Sequence, residues 1–104
     1  MEPLTFQRLS EVNLDRCIDV FRQSLDWTHS EWATAMAGKS SAARSLIRRS
    51  RLGEDIAPSY IVKELAELVI YADLLATRLG LSLGACVRDR FNEVSEQREY
   101  DTRL

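Results

Sequence analysis

The chain has 104 residues, 45% of them apolar and 29% charged, with a net charge of −2. That length holds one small domain, residues 1–104, able to bury roughly two-thirds of its unfolded surface, and the composition excludes a disordered chain. Near-neutral charge argues against a nucleic-acid polymer as ligand, and no apolar run reaches the length of a membrane span.

In chain order, the first predicted helix takes Ser10 as its N-cap and carries Cys17, Ile18, Phe21 and Leu25 at helical spacing. Thr28-His29-Ser30-Glu31 has the form of a capping box and predicts the start of a second helix. That helix carries Trp32, Ala35, Met36, Leu46 and Ile47, and runs into Arg48-Arg49-Ser50-Arg51 before Gly53. Cations in a last turn suit the helix dipole, so this cluster reads as a cap before a phosphate site.

Pro58-Ser59 opens a third helix, with proline near its first position. Ile61, Val62, Leu65, Leu68, Val69, Ile70, Leu74, Leu75 and Leu79 cover most of its circumference, so it is expected to be central or to lie in a subunit interface. Gly80 ends it, Ser82 caps a fourth helix through Cys86, Val87, Phe91 and Val94, and Tyr100–Leu104 forms a tail. No strand signal, internal repeat or low-complexity segment interrupts this pattern. The expected fold is an all-α four-helix bundle, completed in a dimer or larger assembly because the third helix is apolar on nearly every side.

Glu64 and Glu67 stand one turn apart on this otherwise apolar helix, where carboxylates are costly unless a cation meets them. The cation is either a divalent metal or a Lys or Arg. Cys17 and Cys86 lack metal-ligand spacing and read as buried free thiols. With no export signal at residues 1–9, a cytoplasmic location is expected.

Four strings then occur in order: Ala37-Gly38, Glu64-Leu65-Ala66-Glu67-Leu68-Val69-Ile70-Tyr71, Leu79-Gly80-Leu81-Ser82-Leu83, and Arg90-Phe91-Asn92-Glu93-Val94-Ser95. From about Thr28 onward the chain resembles the MazG-like nucleoside triphosphate pyrophosphohydrolases, which are all-α. The resemblance implies a dimer or tetramer that cleaves a nucleotide between its α and β phosphates with Mg²⁺. The metal would be held by an E-x-x-E pair on one helix and an E-x-x-D pair on the next. Such crowding of acids suits a hard cation that polarises phosphate and acidifies a bound water.

The pattern breaks at the metal. Where the family form is roughly A-G-E-x-G-E, this chain reads Ala37-Gly38-Lys39-Ser40-Ser41-Ala42, so Lys39 and Ala42 replace the first acidic pair. Glu64 and Glu67 survive as the remaining catalytic and metal positions, with Glu67 where the last acid is usually Asp. Lys39 reads as a built-in counter-ion, so Mg²⁺ binding is expected to be weak or lost.

The resemblance also makes Tyr71, Asn92, Trp32, Arg90 and Lys39 candidate nucleotide contacts. Packing is the alternative for Tyr71 and for Trp27 and Trp32, and a polar contact near the helix end for Asn92. Arg90 and Arg98 could equally be solvated, and Asp73, about 240° round the helix from Glu67, suits an interface or a cap. Lys63 points away from the pair, and His29 belongs to a capping box.

Two functions follow. One is an impaired relative of these enzymes, retained to bind a nucleotide (NTP or dNTP) or to act through protein contacts as a homodimer or homotetramer. The other is an active pyrophosphohydrolase completed across a subunit interface by Glu93, Glu96 or Glu99. Glu31, the only other acid on the second helix, stands about 16 Å along the axis from Ala42 and cannot replace the lost pair within one chain.

Overall fold

The computed structural model describes residues 2–20 and 22–104. Among them the chain is all-α, with helices α1 (Phe6–Val20), α2 (His29–Arg51), α3 (Pro58–Arg78) and α4 (Leu83–Gln97), and a short 3-10 turn at Arg22–Asp26. Phe21, expected on the first helix, lies outside the described residues.

The helix ends follow local chemistry. Thr28 caps α2 by accepting a hydrogen bond from the Glu31 amide at 3.1 Å, as the capping box requires. Ser82 caps α4 through the Ala85 amide, and Pro58 occupies the first turn of α3. α2 and α3 both close with a residue in the left-handed region, Gly53 (φ 97°) and Gly80 (φ 78°). In each case the next amide reaches back to the sixth carbonyl, Glu54 to Arg49 and Leu81 to Ala76. α4 ends by the same device with Glu99 in the left-handed position (φ 58°).

The start of α1 differs from expectation. The Arg8 amide donates to Thr5 Oγ1 at 3.1 Å, so Thr5 does the capping and the helix begins before Ser10. Ser10 instead lies one turn inside α1, turned toward α3.

α3 is the hub. It packs along α2 over most of its length, against α1 less extensively, and against α4 over a small patch. The backbones of α2 and α4 do not approach one another, and α4 turns away from α3 by 101°. Only Cys17, Trp32, Ala43 and Leu74 are buried apolar residues among those described.

The single chain is therefore open and not a closed bundle. Its radius of gyration is 16.2 Å, where a compact chain of this length has about 13 Å. Its accessible surface is 8110 Å², against about 5,900 Å² expected for its mass. Val62, Leu65 and Val69 form an exposed stripe on α3. Cys86, expected to be buried, is exposed beside Val87, Phe91 and Val94 because α4 has little to pack on. Among the described residues no single helix is long and apolar enough to cross a membrane.

Gly84 marks the closest approach of α4 to α1. A Cβ at that position would lie 2.7 Å from Phe6 Cβ, an atom fixed to the α1 backbone. Gly84→Ala is expected to lower stability by about 1–2 kcal/mol, the overpacking outweighing the gain in helix propensity. Urea denaturation compared with Phe6→Gly/Gly84→Ala checks it: the penalty at Gly84 disappears once the Phe6 Cβ is gone.

Candidate functional site

The acidic pair sits where α2 lies along α3. Lys39 projects from α2 to within 2.5 Å of Glu67 Oε2 and 3.7 Å of Glu64 Oε2. Lys39 and Glu64 side chains are about a quarter exposed and Glu67 nearly half. Helical spacing of three residues turns both carboxylates toward one neighbour, and the ammonium occupies the point they share. Glu64 Oε2 is buried and has no hydrogen-bond partner, so the nearby charge is its main compensation.

The contact raises the Lys39 pKa above its ordinary 10.5, first through its hydrogen bond with Glu67, with the charges of Glu67, Glu64 and Tyr71 adding to it against partial desolvation. Lysine therefore stays charged throughout the neutral range. Its contribution to stability is fully present below the ordinary lysine value and is lost only as pH rises through the raised one.

Further along the same helix faces lies an aromatic cluster. Trp27 and Trp32 are 4.7 Å apart between ring centroids, and Trp32 meets Tyr71 edge-on at 6.1 Å. Cys17 and Leu74 complete this core, with Leu25 and Leu75 at its margin. Trp32 is only 2% exposed, so it is a core residue and presents no free face at a pocket mouth. Its indole Nε1 is buried without an acceptor. Tyr71 is half-buried and connects this core to the Lys39 pair.

The two α4 candidates lie elsewhere. Asn92 donates to the Leu104 carbonyl at 3.3 Å and accepts from the Leu104 amide at 2.8 Å. Arg90 pairs with Glu93 at 2.9 Å. With α2 and α4 apart, neither is brought to Lys39 within this chain. Lys63 lies over the Tyr60 ring at 5.4 Å and takes no part in the acidic pair.

The residues present do not fit a Mg²⁺ site. Mg²⁺ asks for six oxygens, supplied by one or two carboxylates together with waters or phosphate, while here an ammonium fills the point the two carboxylates share and repels a second cation. Among the described residues no group of three or more His, Cys, Asp or Glu side chains could hold a metal.

One polar cluster escaped the sequence reading. Asp73, 1% exposed, accepts hydrogen bonds from the Ser10 hydroxyl and from Asn13 Nδ2 at 3.0 Å, and Asn13 Nδ2 also reaches the Ile70 carbonyl. Asp73 thus fastens α3 to α1, on the far side of the helix from Glu67. The signal was Ser10 and Asn13, three residues apart on one face of the first helix, a pairing hidden by reading Ser10 as a cap. Asp73→Ala is expected to cost about 3 kcal/mol, because the Ser10 and Asn13 donors would be buried without acceptors. Chemical denaturation checks it, and Ser10→Ala/Asn13→Leu/Asp73→Leu should recover most of the loss.

No protein-family model, curated protein or solved structure matches this chain.

Proposed function

We propose that this chain is a MazG-like nucleoside triphosphate pyrophosphohydrolase relative in which an internal cation has taken the place of the metal. The observation that carries this reading is Lys39 Nζ, seated 2.5 Å from Glu67 and 3.7 Å from Glu64. An ammonium neutralises one carboxylate charge but has no coordination positions, so it can neither bridge the two carboxylates to a phosphate as a metal ion does nor acidify a bound water. The protein's own residues thus retain a framework for the reaction without its centre.

Between the two roles open to an impaired relative, action through protein contacts is favoured over nucleotide capture at the Lys39 pair. Lys39, Arg90 and Asn92 are each engaged by groups of the chain itself, and Trp32 is buried. Homodimer or homotetramer formation is supported by surface area. The excess of about 2,200 Å² over a compact chain of this mass is the scale of a stable interface. The Val62, Leu65 and Val69 stripe is apolar enough to supply part of it.

The test is pyrophosphate release from a panel of ribo- and deoxynucleoside triphosphates with Mg²⁺ or Mn²⁺. The native chain is expected to be silent, and Lys39→Glu/Ala42→Glu to turn over at least one of them. Metal-dependent turnover by the native chain would overturn the reading and direct attention to Glu93, Glu96 and Glu99 of a neighbouring protomer.

A further inference from the structure

Among the described residues, three cations of α2 without a partner lie on the opposite side of that helix from Lys39. Arg44, Arg48 and Arg51 follow a spacing of four and three, which places them on one face over about 10 Å of helix. Relative to Lys39, that face is turned through roughly 140° and looks away from α3. Arg49, between them in sequence, is engaged by Glu54 at 2.6 Å. The guanidinium groups of Arg44, Arg48 and Arg51 make no hydrogen bond or ion pair among the described residues. They do not simply line a flat surface. With Ile47 and Leu52 they enclose an open cavity of about 340 Å³.

We infer that Arg44, Arg48 and Arg51 form an oligophosphate-binding site, independent of the Lys39 pair. Three guanidiniums on one short face form a dense positive charge that the chain does not neutralise. Their planar forks suit phosphate oxygens, each able to donate two parallel hydrogen bonds. Their staggering over two turns exceeds what one phosphate can span and matches a run of two or more. The C-terminal dipole of α2 opposes an anion here only weakly, and charge-assisted hydrogen bonds from three guanidiniums outweigh it. Ile47 and Leu52 wall the cavity and narrow the approach to the three cations. The ligand is a free oligophosphate, such as an inorganic polyphosphate or the phosphate tail of a nucleotide.

Isothermal titration of the full chain with inorganic tripolyphosphate at near-physiological salt tests this, with amide chemical shifts locating the site. Saturable binding is expected, with shifts concentrated at residues 44–52 and affinity falling at least tenfold in Arg44→Gln/Arg48→Gln. Arg88→Gln, which removes one exposed cation from α4, should bind as the native chain does, which separates this site from general attraction of an anion to surface charge. The proposal is overturned by an absence of saturable binding, by undiminished binding in the arginine variant, or by binding lost equally in Arg88→Gln. Binding only to vesicles containing a phosphoinositide, with none to tripolyphosphate, would also overturn it in favour of a lipid surface.

Discussion

Trp32→Ala is expected to destabilise the chain by about 3–5 kcal/mol, the loss typical of deleting a buried indole. Trp32 is 2% exposed, meets the rings of Trp27 and Tyr71, and shares the buried core with Cys17 and Leu74. Few other apolar residues are buried in this open chain, so no neighbouring layer can collapse into the space. A domain of this size is stable by about 5–15 kcal/mol, so the variant should lose a large share of its folded population at ordinary temperature. Urea denaturation monitored by far-ultraviolet circular dichroism checks this. Trp32→Phe should recover much of the loss, because Trp32 Nε1 has no acceptor and its removal strands no polar partner. A Trp32→Ala chain as stable as the native one would show that the core lies elsewhere.

The second large effect is expected at Lys39. Lys39→Ala leaves Glu64 and Glu67 facing each other across one helical turn with no cation, and Glu64 Oε2 already lacks a hydrogen bond. A loss of about 1–3 kcal/mol is expected, the lower end because the three side chains are a quarter to half exposed and solvent screens them. The pH dependence follows from the raised lysine pKa. The difference between native and variant should hold steady from neutrality to the ordinary lysine value and shrink in stronger alkali, as Lys39 loses its proton. Millimolar Mg²⁺ should restore part of the variant's thermal stability and leave the native chain unchanged, since only the variant offers an uncompensated acidic pair.

Much of this is legible in the amino-acid sequence, and the reasons are local. Thr28, Pro58, Gly80 and Ser82 act through backbone groups within a few residues of themselves, so their sequence context was enough. The Glu64–Glu67 spacing and the cation at position 39 were likewise readable, and the structure places them in contact.

What escaped depends on which helices meet. Ser10 has the chemistry of a cap as well as of a buried donor, and only the approach of α1 to α3 decides between them. Asp73 was legible as lying off the Glu67 face but not as the link to α1. Cys86 sits among apolar neighbours in sequence, yet α4 turns away from the hub and leaves it exposed. Asn92 could not be read as a clamp on Leu104 because that contact joins positions twelve residues apart beyond the end of a helix.

The central claim is that Lys39 stands where a metal would otherwise be held, and direct metal titration addresses it without relying on turnover. Mn²⁺ binding would be followed by electron paramagnetic resonance for the native chain and for Lys39→Glu/Ala42→Glu. The account predicts no saturable site in the native chain at submillimolar Mn²⁺ and at least one in the variant, where four carboxylates replace two. Saturable binding by the native chain with Lys39 in place, abolished by Glu64→Gln/Glu67→Gln, would contradict it.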